Sequence, residues 1–141
     1  RLVALSRREV PELLALPGCA ELSAAKLLGE AAGITRFRGE AQFARHGGLA
    51  PIPVWSGNTA GRVRMTRSGN RQINAAIHRI ALTQIRLKDS LGRAYYDKKI
   101  AEGKTKTEAL RCLKRRLARV VFHRLNTDHT NRQTAALPAA A

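Results

Sequence analysis

Two stretches of the chain repeat apolar residues with the period of a helix. In the first, Ile73, Ile77, Ile80 and Leu87 follow Asn70, a residue type whose side chain caps helix starts. In the second, Leu110, Leu113, Leu117, Val120, Val121 and Leu125 mark one face, while Arg111, Lys114, Arg115, Arg119 and Arg124 fall mainly elsewhere. Thr105-Lys106-Thr107-Glu108 precedes that second stretch in the Thr-x-x-Glu form of a capping box. Shorter helices are expected over 22–32, ended by Gly33, over 40–47, and over 91–101, ended by Gly103. Ser6-Arg7-Arg8-Glu9 also has the capping-box form, so a further helix is expected from Ser6 to Leu16, where Leu-Pro-Gly breaks it.

Between these helices the pattern fails. Five of the eleven glycines lie from Gly47 to Gly69, together with Pro51-Ile52-Pro53, which predicts loop with room for a short hairpin. After Asn126 the periodicity lapses into Pro-Ala-Ala-Ala, so residues 127–141 are expected to be a flexible tail behind one domain over 1–126. The fold class is therefore mainly α, with a glycine-rich basic loop in the middle and long antiparallel helices after it. At 141 residues and 44% hydrophobic, the chain can bury a real core. With 4% aromatics, that core must be built of Leu, Ile, Val and Ala.

Charge changes the picture. Twenty-six Lys and Arg face ten Asp and Glu, a formal net charge of +16. From Ala41 to Lys88 there is no acid but eight Lys and Arg. Like charges repel on a solvated surface, so so one-sided a stretch expects a polyanion. Nucleic acid fits better than a membrane, because no helix pairs this basicity with a lipid-facing aromatic stripe and no apolar run approaches a membrane span. Cys19 and Cys112 form no CxxC, and His46, His78, His123 and His129 lack metal-ligand spacing. Two lone cysteines suit small core positions and a reducing cytoplasm, and no metal site is expected in this chain.

Candidate chemistry concentrates in "WSGNTAGRVRMTRSGN", residues 55–70. Arg62, Arg64, Arg67 and Arg71 are the expected phosphate contacts, since a guanidinium fork grips phosphate oxygens in pairs. Ser56-Gly57 and Ser68-Gly69 have the same form, and composition does not separate either from an ordinary turn serine. A serine attacking phosphate needs an exposed loop, cations for the charge that develops and a proton acceptor, which the residues do not single out: His46, water or the substrate could serve. "LLALPGCAELSAAKLLGE", residues 13–30, resembles a helix-hairpin-helix, a unit whose tight turn offers backbone amides to phosphate. Gly18 in the turn and Lys26 in the second helix are its candidate contacts, within a segment spanning 9–33. Its second glycine is Ala20 here, which tolerates positive φ poorly.

The ordered series Arg36-Phe37, Gly48-Leu49-Ala50-Pro51, Ser56-Gly57 and Gly69-Asn70-Arg71, followed by "RAYYDKKIAEGK" at 93–104, resembles the C-terminal domain of DEDD-type insertion-sequence transposases, relatives of the Piv invertases. The resemblance covers residues 11–126. It implies strand cleavage and transfer during DNA transposition, guided in many members by a structured RNA, by proteins that are homo-oligomers at full length. It maps the family's proposed serine nucleophile onto Ser56; Asn70, in the Gly-Asn-Arg that ends the basic stretch, joins Arg62, Arg64, Arg67 and Arg71 as an expected nucleic-acid contact. It places four carboxylates that hold a divalent metal, expected to be magnesium, in a RuvC-like N-terminal half. The ten acids here form no such tetrad, so this chain alone is expected to bind DNA without completing recombination. Thr66-Arg67-Ser68 stands where the family often has Ser-Lys-Arg. Two competing readings are a non-catalytic helix-hairpin-helix module and a structural RNA-binding protein of ribosomal type.

Overall fold

A computed structural model describes residues 2–54, 62–65 and 69–137, and for Leu2 and residues 51–54 and 62–65 it describes the backbone alone. The elements are α1 (Leu2–Glu9), α2 (Pro11–Leu14), α3 (Glu21–Ala31), a 3-10 turn (Ile34–Arg36), α4 (Glu40–His46), β1 (Pro51–Val54), β2 (Arg62–Met65), α5 (Arg71–Arg86), α6 (Leu91–Ala101) and α7 (Lys106–Ala136). The chain is mainly helical, as its periodicity predicts.

The first helix differs from expectation. Proline at 11 disfavours α-helical geometry in the residue before it, and Val10 adopts φ −135°. One expected helix over 6–16 is therefore two, α1 and α2. Because α1 begins at Leu2, Ser6 sits inside it and caps nothing. Its buried hydroxyl donates instead to the Glu21 carbonyl, at 3.3 Å.

The later caps hold. The Asn70 side chain accepts from the amides of Gln72 and Ile73, both at 3.0 Å. At α7 the capping box is reciprocal: Glu108 N–H donates to Thr105 Oγ1 at 3.2 Å and Thr105 N–H to Glu108 Oε2 at 2.9 Å. Both pairs satisfy amides that a helix start leaves without an intrahelical acceptor.

The predicted stripes meet in one core. Ile73, Ile77 and Ile80 of α5 and Leu113, Leu117, Val121 and Leu125 of α7 are buried with Val10, Leu13, Leu27, Phe43 and Leu49. Leu87 is 45% exposed, because α5 ends at Arg86 and the residue has left the helical face. α7 is the spine: α2, α4, α5 and α6 all pack on it, while α3 packs on α5 and α1. Tyr95 lies under the Arg116 guanidinium, 4.6 Å from the ring centre, and Lys99 is beside Cys112. Those pairings make α6 and α7 antiparallel.

α7 also runs ten residues into the stretch expected to be tail. Residues 127–136 are helical, and Asp128 is buried, accepting from the amides of Glu12 at 2.9 Å and Leu13 at 3.1 Å. A carboxylate of α7 thus caps α2, which has no side-chain cap of its own. The sequence shows polar residues there and no stripe, because what anchors the segment is a polar contact with a helix more than a hundred residues away.

The glycine-rich segment contains the short hairpin. β1 and β2 pair antiparallel, with Pro51 opposite Met65 and Val54 opposite Arg62. Proline at 51 and 53 removes every amide on one edge of β1, so this strand can donate on its other edge only, which suits a two-stranded ribbon.

Candidate nucleic-acid interface

The ribbon leaves the body where α4 ends and α5 begins, and its two roots touch. Gly48 has φ +69°, a region glycine enters without strain. A Cβ on Gly69 would overlap the Gly48 nitrogen, and one on Gly47 would stand 2.9 Å from Ile73 Cγ2. Backbone therefore meets backbone at Gly48 and Gly69, which only glycine permits. The amide of Asn70 donates to the His46 carbonyl at 2.7 Å, tying the second root to the end of α4.

Side chains from three other places lock this junction. Asn70 Nδ2 donates to Glu30 Oε2 of α3 at 3.0 Å. Asn74 Nδ2 donates to the Gly47 carbonyl at 3.0 Å, and Asn74 Oδ1 accepts from Lys114 Nζ of α7 at 2.8 Å. Burial pulls the Lys114 ammonium below its usual range, and Arg111 pulls it the same way. Arg36 lies across the Phe37 ring and donates through Nε to the Ala31 carbonyl at 2.6 Å, while its Nη2 is 3.3 Å from His46 Nε2. Burial first, and the Arg36 charge next, lower the pKa of His46 against the opposing pull of Glu30. With Arg36 at Nε2, the neutral imidazole carries its proton on Nδ1.

Of the residues expected to carry chemistry, Ser56, Arg67 and Ser68 lie outside the described residues, Ser56 between β1 and β2 in sequence and the other two between β2 and α5. Arg62 and Arg64 lie in β2. Arg71 is exposed as the first residue of α5, where its cation adds to the positive end of the helix dipole. Asn70 has its side-chain oxygen and nitrogen engaged within the protein. Lys26 lies one turn before Glu30 on the same side of α3, half-buried.

Gly18 has φ +88° and rests on α5: a Cβ there would meet the Ile80 carbonyl at 3.0 Å and Thr83 Cβ at 3.2 Å. Gln84 Nε2 fastens the same turn by donating to the Pro17 carbonyl at 2.8 Å. Packing on α5 is thus one reason for glycine at 18. Ala20 takes φ −87°, so alanine is unstrained where positive φ would have excluded it. The start of α3 carries Glu21, which faces Arg7 at 3.9 Å.

Glu30, Asn74 and Lys114 are the residues that sequence reasoning missed. Each acts across forty residues of chain or nearly so, and no local spacing signals such a pairing. Among the described residues, no three His, Cys, Asp or Glu side chains come together as a metal site. None of the described helices is long and apolar enough to cross a membrane.

Residues 10–97 match the Transposase IS116/IS110/IS902 family. The chain is 34% identical over 135 residues to an uncharacterized 42 kDa protein of insertion element IS900 from Mycobacterium paratuberculosis, covering 95% of this chain and 33% of that protein. It is 35% identical over 133 residues to an uncharacterized 43.6 kDa protein of insertion element IS110 from Streptomyces coelicolor, covering 93% and 33%. A 44.8 kDa protein of insertion element IS116 from Streptomyces clavuligerus is 29% identical over 116 residues, covering 82% and 28%. The chain spans about a third of the length of these relatives.

Proposed function

Because this chain belongs to the IS116/IS110/IS902 transposase family, we propose that it is the DNA-binding, serine-bearing C-terminal part of a transposase acting by strand cleavage and transfer. The observation that carries the reading is the clasped root of the β1–β2 ribbon. A connection holding Ser56, with Arg62, Arg64 and Arg67 after it, is tethered at Gly48 and Gly69 beside the exposed Arg71. An anchored root with a reactive connection beyond it suits a group that must reach a phosphodiester in a defined orientation.

In this reading the Ser56 oxygen bonds to phosphorus as the bond to the leaving sugar oxygen breaks. The serine proton passes to a base, and the leaving oxygen takes up a proton. Arginines balance the charge on the phosphoryl oxygens. His46 is one base candidate, beside water and the substrate: burial and Arg36 favour its neutral form, and Nε2, the nitrogen that would take the proton, has to exchange its contact with Arg36 for the serine. The ten carboxylates of this chain, all among the described residues, do not come together as a divalent-metal tetrad. Metal chemistry in this reading belongs to carboxylates of a nuclease part beyond this chain, and the chain alone completes no recombination. A helix-hairpin-helix contact through Gly18 and Lys26, a guide RNA and homo-oligomerisation belong to the same reading.

Ser56→Ala in the full-length protein tests it. The expected result is loss of excision and integration with DNA binding retained. Normal transposition by that variant would overturn the nucleophile and favour a non-catalytic binding module.

A further inference from the structure

α7 carries a feature that the ribbon does not explain. Between Glu108 and Asp128 it has no acid and six Lys and Arg. Arg111, Arg115 and Arg119 recur every four residues and are exposed, so they form a single stripe. A helix rises 1.5 Å per residue, so the stripe runs about 12 Å with a guanidinium about every 6 Å. All ten carboxylates of the chain are among the described residues, and none pairs with Arg111 or Arg115. Arg119 is held through Nε by Glu40 Oε1 at 2.8 Å, which fixes its fork against α4.

The stripe reaches the root of the ribbon. Arg115 and Arg119 line a shallow recess of about 70 Å³ with Glu40, Ala41, Ala44 and Ala50, and Ala50 immediately precedes β1. On α7 itself, Lys114 bonds to Asn74 at that root.

We propose that Arg111, Arg115 and Arg119 form a second phosphate-binding track, which lies along the backbone of duplex DNA whose neighbouring segment meets the ribbon. The inference rests on the DNA-binding reading above. Uniform spacing on a rigid helix suits a regular phosphate array, and planar guanidinium groups suit its oxygens. Single-stranded nucleic acid is bound on exposed aromatic platforms. Among the described residues the phenylalanines are buried and the tyrosines half-buried on α6. A membrane would need large apolar side chains here, and the apolar lining of the recess between stripe and ribbon is alanine alone, beside Glu40 and the two arginines.

The test compares three variants of the full-length protein: Arg111→Gln/Arg115→Gln/Arg119→Gln, Arg62→Gln/Arg64→Gln/Arg67→Gln, and a charge-matched control, Lys88→Gln/Lys98→Gln/Lys104→Gln, at exposed positions outside α7. Affinity for a fluorescent duplex DNA and for a structured RNA is measured across a salt series, with circular dichroism to establish that each variant is folded. The α7 variant is expected to flatten the log–log salt slope on DNA by about 2.7, at about 0.9 per lost phosphate contact, with the control near wild type. An unchanged slope for the α7 variant beside a flattened one for the ribbon variant overturns the track and leaves the ribbon reading standing. A control that flattens the slope as much, or a loss confined to the RNA, also overturns the track. Failure of the wild-type protein to bind duplex DNA sinks both readings.

Discussion

Asn70 performs three tasks at once: it caps α5, ties α5 to Glu30 of α3, and bonds its own amide to the end of α4. Asn70→Ala is expected to cost about 1–2 kcal/mol for the cap alone. Asn70→Asp keeps the cap but sets a second carboxylate against Glu30, so urea unfolding of the two variants separates cap from tether. Gly69→Ala puts a Cβ onto backbone that cannot swing aside, and should cost about 1–3 kcal/mol or more. The cap at Asn70 was legible in the sequence, because it acts on its own next residues. Its bond to Glu30 was not. His46 adds a pH dependence. Its folded pKa lies below the ordinary 6.5, so the unfolded chain binds more protons between the two values. The stability is present above pH 6.5 and is lost as pH falls toward the folded value. His78, lowered by burial and by Lys114, acts in the same direction. The urea midpoint should therefore fall from about pH 7.5 to about pH 5.5, and His46→Gln should flatten part of that fall.

Among the elements, the end of α7 separates what the pattern shows from what the fold does with it. A chain stopped after Asn126 should lose little if 127–141 were tail. The structure predicts otherwise, because Asp128 is the acceptor for two amides of α2 and Arg132 reaches the Glu9 carbonyl. Asp128→Ala should cost about 1–3 kcal/mol by stranding those amides, and thermal melts of that variant and of the truncated chain would measure it. Burial pushes the Asp128 pKa up, the two amides pull it down, Glu12 raises it and Arg132 lowers it, with a net rise. The α5 and α7 stripes, by contrast, could be read directly, since a helix that packs on a core repeats its apolar side chains whatever its partner is. α1 and α2 differ from the single expected helix because the proline five residues after Ser6 breaks the helix that its capping-box pattern suggests.

On the scale of the whole molecule, a net charge of +16 makes binding to any polyanion salt-dependent. The ribbon and the start of α5 should supply their own share. Replacing Arg62, Arg64, Arg67 and Arg71 together by Gln is expected to flatten the log–log salt slope on duplex DNA by about 3.6, read by fluorescence anisotropy. Charge excess, helix content and most caps were determined by the sequence alone, because each depends on composition or on residues within a turn or two of one another. The junction of Gly48 with Gly69, the Lys114–Asn74 bridge, the capping of α2 by Asp128 and the meeting of the α7 stripe with the ribbon were decided only by tertiary structure. Each joins groups distant along the chain, and their geometry follows from how the helices pack, which no local spacing encodes.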